Sequence, residues 1–247
     1  MAFAFDLEKA RRDAQYIYDV SNTPLTGEWR VLSDDPKNCV VYRREMHDDV
    51  GIPEFCGVGL FSGVTPWEMN LILRDYDFRR RCEASLLQMG CIAHPETDFW
   101  ALYNRSAAVL GGMVSSRDFL DFSCARCDPD GGYTHGGSSI EMPSVPPVTG
   151  CIRGRNYTCG TRVQPGDAPN TVKVTYIIRS DLKGSMPQWV VNKAMVGVVS
   201  GFFAQLRKNL PSLDKSRYPA KPDQPGLATP PGWVIPPLNG TPGVLPN

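Results

Sequence analysis

Histidine is scarce in this 247-residue chain: only His47, His94 and His135, none spaced from another as metal ligands are. Each lies near a turn signal, so a solvent-exposed histidine is expected at all three. That leaves neither a metal centre nor a histidine base for catalysis. Cys124 and Cys127 form a CxxC pair, but Cys151 and Cys159 have seven residues between them, and zinc sites use a second short-spaced pair. In a regular strand Cys124 and Cys127 point to opposite faces. An excess of either charge is also missing. Lys+Arg and Asp+Glu are equal at 26 each, which offers no electrostatic footprint for nucleic acid. Arg79-Arg80-Arg81 is the densest basic cluster, and Asp75, Asp77 and Glu83 interleave with it as on a solvated face. No run approaches the ~18 apolar residues of a membrane span. The first residues, MAFAFDLEKARRDAQ, hold six charges between Asp6 and Asp13 and lack the roughly 7–15-residue apolar core of a signal peptide. A cytoplasmic chain is expected, its eight cysteines free thiols and its sequons at Asn104, Asn156 and Asn239 unused. Gly111-Gly112 lacks the GxxxxGK[ST] pattern of a phosphate loop, and no Ser or Cys sits in a nucleophile elbow. No cofactor and no catalytic set is anticipated, and an enzyme is not expected.

What is present is apolar periodicity. From Ser180 to Leu210, Val191, Ala194, Met195, Val198, Val199, Phe202, Phe203, Leu206 and Leu210 recur at helical steps. They predict a helix of ~23 residues, ~35 Å long. Ser185 and Gln188 read as its capping box, Arg207 and Lys208 suit its C-terminal dipole, and Pro211 stops it. Gly197 and Gly201 fall opposite the stripe, either incidental on the solvated side or softening the helix as a lid.

Upstream, Asp6 to Val20 reads as a helix, and Thr65-Pro66-Trp67-Glu68 opens another with a capping box. Trp29–Leu32, Cys39–Arg43, Glu54–Phe61, Leu86–Ala93, Asp98–Asn104, Asp118–Arg126, Tyr133–Met142, Cys151–Val163 and Val172–Ile178 read as about nine strands. Phe122 and Cys124 share one face of theirs. Mostly hairpin-joined, these strands argue for an α+β fold, one curved antiparallel sheet with the long C-terminal helix on its concave face. Residues 1–24 form an N-terminal helix and linker, 25–210 the domain, and 211–247 a Pro/Gly-rich tail. The tail reads as disordered or polyproline-like and could serve a protein partner. Between two strands, Val109, Leu110, Met113 and Val114 make an apolar loop that either tucks into the core or marks a partner, a membrane or a ligand gate.

Four ordered segments carry a resemblance. Ser115-Ser116-Arg117-Asp118-Phe119-Leu120-Asp121-Phe122-Ser123 resembles the S-P-R-D-F-V-D signature of START domains (steroidogenic acute regulatory protein-related lipid transfer). Ile152-Arg153-Gly154, Cys159-Gly160, and Asp181-Leu182-Lys183-Gly184 followed by Pro187-Gln188 agree in order. The similarity spans about residues 25–210 and is nearest in pattern to the family's small cytosolic sterol-carrying branch. It implies a helix-grip fold, in which the curved sheet surrounds a hydrophobic tunnel closed by the C-terminal helix. One lipid would be held there and moved between membranes unchanged. The loop Ala107–Val114 and the helix Gln188–Leu206 would form the gate, with Val191, Met195, Val198, Val199 and Phe202 turned to the lipid.

Two departures bear on the lipid. The tunnel ion pair of the steroidogenic member falls, counted from Arg117, on Ser123 and Asn104. Two neutral groups there suit a sterol hydroxyl at low desolvation cost. Asp77 to Glu83 resembles the D-Y-R-K-Q-W-D segment of the phosphatidylcholine-transfer branch. Arg79 and Glu83 keep its i, i+4 spacing, Cys82 replaces its tryptophan, and only Tyr103 and Phe119 stand for a choline cage. A non-enzymatic carrier of one sterol leads. A phosphatidylcholine carrier is the alternative, followed by a helix-grip hydrolase and an interaction module acting through the tail.

Overall fold

The structure, a computed structural model, describes residues 3–83 and 85–221. Helix α1 (Leu7–Asn22) is capped by Asp6, whose carboxylate accepts from Lys9 N at 2.8 Å. Strands β1 (Arg30–Asp35), β2 (Cys39–Arg44) and β3 (Glu54–Ser62) follow. Helix α2 (Pro66–Arg74) opens on the predicted capping box of Thr65 and Glu68. Asp75 ends α2 and caps α3 (Tyr76–Cys82) through Phe78 N, so the inserted helix is broken in two. Then come β4 (Leu86–Glu96), β5 (Phe99–Ser106), β6 (Arg117–Cys127) and β7 (Tyr133–Ser139). The stretch read as one strand from Cys151 to Val163 is three: β8 (Ile152–Arg153), β9 (Arg155–Asn156) and β10 (Cys159–Pro165). Strands β11 (Thr171–Ile178) and β12 (Ser180–Asp181) and helix α4 (Gln188–Asn209) complete the order.

Among the described residues nine strands form one antiparallel path, β1-β2-β3-β11-β10-β7-β6-β5-β4, while β8 joins β6 in parallel and β9 pairs with β12. The outer face carries α1. Its Ala10 and Ala14 pack with Ala101, Leu120 and Phe122, and its Ile17 and Val20 with Trp29 and Cys56. Asp13 on the same helix accepts from Ser138 Oγ at 2.6 Å and Thr158 Oγ1 at 2.9 Å, which pins α1 to the sheet. Helix α1 is thus integral to the packed body. The inner face carries α2 and α4, and the largest cluster lies there, with Val172, Val174, Phe61, Met195, Phe203 and Leu206 among it.

Three expectations are corrected here. Helix α4 begins with Pro187 at the N-cap and has no side-chain cap, so the Ser185–Gln188 box does not form. A residue before proline is held extended, which keeps Met186 out of the helix and strands Ser185 beyond capping reach. Helix α4 ends before Pro211 as expected, but the packed chain runs on past 210, where the tail was expected to begin: a 3-10 turn runs Leu210–Ser212, Tyr218 Oη donates to Asp75 Oδ2 at 2.9 Å, and Trp67 Nε1 donates to Pro219 O at 2.8 Å. The tail expected beyond Lys221, like the side chain of Cys82, lies outside the described residues. Finally, Gln188–Ser212 is long and apolar enough, by length and composition, to cross a membrane. In the fold it lies along the sheet with Ala194, Val199, Phe203 and Leu206 buried.

Candidate functional site

Helix α4 is held unevenly. Its C-terminal half sits directly on the backbone of β3, where a Cβ at Gly57 would come within 2.6 Å of Phe203 Cε2. Arg207 covers the Phe61 ring at 4.5 Å and donates from Nε to Asn38 O at 3.1 Å, while Asn38 Nδ2 donates to Ser200 O at 3.0 Å. Its N-terminal half stands off the sheet. Trp189 is 58% exposed and Val198 44%, while Val190 and Ala194 rest on Val114 and the neighbouring loop. Gly197 and Gly201 have nothing within 4 Å of an added Cβ, so both face open space on the far side of the helix.

Between α4 and the sheet lies a cavity of ≈ 270 Å³. Strand alternation decides its wall. On β5, Trp100, Leu102 and Asn104 turn inward, and on β6, Phe119, Asp121 and Ser123 do. The register pairs Asn104 with Phe119, Leu102 with Asp121 and Trp100 with Ser123. Asn104, Ser123 and Phe119 therefore border one space, as does the α4 set Met195, Val198 and Phe202. Tyr103 does not: next to an inward residue, it points outward and donates to Asp118 Oδ2 at 3.3 Å. Val199 and Val191 also turn away from the cavity, into the cluster beneath α4. In the loop, Val109 and Val114 border the cavity and bridge to each other, whereas Met113 is 53% exposed and Leu110 half-buried.

Arg79 and Glu83 border the cavity from α3 and its C-cap as a pair at 2.8 Å, the guanidinium lying over the Phe202 ring at 5.3 Å. Burial alone would pull the guanidinium pKa down, but the Glu83 carboxylate overrides it and holds it above the ordinary value. His135 overturns the expectation of an exposed turn histidine. It lies buried on β7, edge-on to Trp100, with Nε2 2.7 Å from Asn70 Oδ1 and Nδ1 3.3 Å from Thr161 Oγ1. Burial and the nearby Arg74 and Arg79 hold it well below its usual pKa, so the ring is neutral. The turn at residues 128–132 drew the sequence reading to the surface; the strand begins one residue later, at Tyr133. His47 is exposed and His94 half-buried. The cysteines among the described residues are all free, with Cys124 turned outward and Cys127 packed against the inner cluster, as their spacing predicts.

Sequence reading missed Asp121, a buried carboxylate on the cavity wall. It accepts from Ser139 Oγ at 2.7 Å and Asn156 Nδ2 at 2.8 Å, and burial pushes its pKa up to about 6. The signal was available, because residues 119, 121 and 123 share a strand face. Trp100, Arg74 and His135 were also missed, since they meet only through the tertiary fold. Arg74 lies over the Trp100 ring at 5.0 Å, its pKa lowered to about 10 by burial.

The four motif segments converge around β6. Arg117 donates from Nε to Leu182 O at 2.8 Å and from Nη2 to Lys183 O at 3.1 Å, fixing the turn that leads into α4. On the other face Asp118 receives Arg153 at 3.0 and 2.9 Å. Gly154 lies under the Phe119 ring, where any Cβ would collide with it.

This architecture agrees with the comparisons. The START domain profile matches residues 64–216. The chain is 34% identical over 97 residues to StAR-related lipid transfer protein 5 of Bos taurus, covering 39% of this chain and 46% of that protein. It is 34% identical over 110 residues to StAR-related lipid transfer protein 4 of Homo sapiens, covering 42% and 50%. Each of these matches thus spans about half of the relative's length. Among solved structures, human StAR-related lipid transfer protein 5 superposes with a TM-score of 0.74 at 20% identity, covering 83% of this chain and 96% of that one. Human STARD10 gives 0.66 at 17% identity, with 86% of each chain covered. The curved sheet gripped by its C-terminal helix and the matched profile together establish that the chain belongs to the START domain family.

Proposed function

We propose that the protein is a non-enzymatic carrier that holds one sterol or sterol-like lipid beneath α4 and passes it between membranes. The observation that carries this reading is the cavity itself. Apolar side chains from the sheet and α4 wall it, and the neutral side chains of Asn104 and Ser123 supply polar contacts for a hydroxyl. Its half-buried Cys159 thiol is pushed up by desolvation, so it is no thiolate nucleophile, and His135 is already committed to Asn70. Both points weigh against a hydrolase. The free thiols suit a reducing cytoplasm. For the phosphatidylcholine alternative, Arg79 is closed on Glu83, and Tyr103, half of the aromatic cage, faces the wrong side of the sheet.

Native mass spectrometry of the purified protein, with organic extraction of what co-purifies, tests the reading. One sterol-sized molecule per chain, exchangeable with added sterol, is expected. A bound phosphatidylcholine would move the site to Arg79 and Glu83, and refusal of both lipids would overturn the carrier. Asn104→Leu combined with Ser123→Ala should weaken sterol binding roughly tenfold, on the order of one lost buried hydrogen bond, with the thermal midpoint preserved. Unchanged affinity would remove these two residues from the site.

The loop gives a kinetic expectation. Leu110 has φ +53°, a conformation aspartate tolerates better than leucine, so Leu110→Asp should not strain the backbone. It should slow vesicle-to-vesicle transfer several-fold while leaving equilibrium affinity nearly unchanged. Equal transfer rates would take the loop out of the gate.

A further inference from the structure

Two carboxylates border the cavity among the described residues, and they differ in one respect. Glu83 is paired with Arg79. Asp121 makes no ion pair among the described residues; its partners are the neutral donors of Ser139 and Asn156. Asn156 is itself spent: its backbone N–H donates to Ser139 Oγ at 2.8 Å, and its Oδ1 accepts from Ser180 Oγ. A carboxylate offers about four lone-pair sites, and here two are used. The wall where β6 meets β9 and β12 thus keeps unspent acceptor capacity on Asp121, while Ser139 and Asn156 already donate to it and Ser180 donates to Asn156. Ser123 adds a hydroxyl two residues along the same face.

Resting on the carrier reading, we propose that Asp121, backed by Asn156 and Ser180, forms the head-group subsite of the tunnel. It selects a lipid whose polar end donates a hydrogen bond and carries no negative charge. An anionic head would bring a second negative charge against a buried carboxylate. A cationic head is disfavoured too, because Arg74, Arg79 and Arg117 line the same cavity. A neutral hydroxyl fits both constraints.

The charge of this subsite titrates. With a pKa raised by burial to about 6, Asp121 is ionised at pH 8 and holds its proton at pH 5. Arg153 of β8 and Lys9 of α1 act on its charge from the other face of the sheet, and Cys159 from β10 and Tyr176 from β11 act from the cavity side. The last two are pushed further up by burial, and α4 turns only Ala194, Met195, Val198 and Phe202 to the cavity.

The test uses the full chain and three probes: a fluorescent sterol with a free hydroxyl, its methyl ether and its sulfate ester, each titrated at pH 8 and pH 5. At pH 8 the hydroxyl form should bind roughly tenfold or more tightly than the ether, as a hydrogen bond to a charged acceptor implies. The sulfate should bind weakest, and its penalty should shrink at pH 5. Asp121→Asn should compress the hydroxyl-to-ether ratio and abolish the pH dependence of the sulfate penalty. If that variant fails to fold, the wild-type pH series decides: a sulfate penalty equal at both pH values overturns the subsite. So does equal binding of hydroxyl and ether, or an unchanged ratio in Asp121→Asn. Equal binding of all three probes would overturn only the subsite, whereas refusal of all three would overturn the carrier reading with it.

Discussion

Phe203→Ala is expected to destabilise the protein by about 3–5 kcal/mol and to accelerate release of a bound lipid. The ring is fully buried, stacked on Phe61 at a centroid distance of 6.1 Å and edge-on to Phe202 at 5.2 Å. It fills the groove that Gly57 and Gly59 leave on β3, and no neighbour can replace it, because those two positions have no side chains. Truncation therefore leaves a cavity rather than a collapse, which is the costly case. For a chain of this size the loss corresponds to a fall in thermal midpoint of roughly 10 °C. The kinetic half of the expectation follows from the uneven seating of α4. Its C-terminal half is bound to β2 and β3 through Phe203, Leu206 and the Arg207–Asn38 contact, and its N-terminal half, where Trp189 and Val198 are exposed, lies over the cavity. Loosening the anchored half should raise the rate at which the free half lifts. Thermal melts and stopped-flow release of a fluorescent sterol check the two parts separately. A midpoint shift below ~2 °C would mean that Phe203 is no anchor. A full shift with an unchanged release rate would place the opening motion elsewhere.

The fold was readable wherever a period was clean. Val172, Val174, Tyr176 and Ile178 alternate as a strand and form β11, in the middle of the sheet path, although the strand expected to be half-buried is covered on both faces, with Thr175 and Ile177 also buried and Ile177 packed under α1. Helix α4 shows the same at helical spacing, with Ala194, Met195, Val199, Phe202, Phe203 and Leu206 buried. Local chemistry was readable where backbone geometry allowed it. Thr65 and Glu68 cap α2 because Pro66 takes the first helical position without loss, whereas Pro187 forbids the same device at Ser185. The site was legible in half. The resemblance pointed to Asn104, Ser123 and Phe119 by position, and alternation places all three on the cavity wall. The same alternation excludes Tyr103, since neighbours on a strand face opposite ways, and it would have added Asp121. Arg74, Trp100 and His135 leave no such trace. They come from α2, β5 and β7, and only the curvature of the sheet and the packing of α2 on it bring them together.

On the other side of the sheet, Arg162→Met is expected to cost about 3–5 kcal/mol, the range for breaking a buried ion pair from one side. Arg162 is 1% exposed, with Nε 3.0 Å from Asp128 Oδ2, Nη2 2.7 Å from Asp130 Oδ2, and Nη1 donating to Asn22 Oδ1. Its guanidinium lies 4.3 Å from the Tyr18 ring centroid, so one side chain ties β10 to α1 and to the turn before β7. Methionine fills much of the volume but leaves Asp128, itself buried, with Arg126 and Thr134 in place of a centred cation. Asp128→Asn added to Arg162→Met should recover part of the loss, because the uncompensated charge rather than the missing contact area carries most of it. The pair also separates stability from binding. Arg162 lies on the outer face while the cavity lies on the inner one, so sterol affinity measured well below the melting transition should stay within about twofold of wild type, as expected for sites that share no partners. A double variant no more stable than Arg162→Met would mean that packing against Tyr18 and Asn22 dominates. A large drop in affinity would show that α1, through β7 and β10, helps to shape the tunnel as well as to cover the sheet.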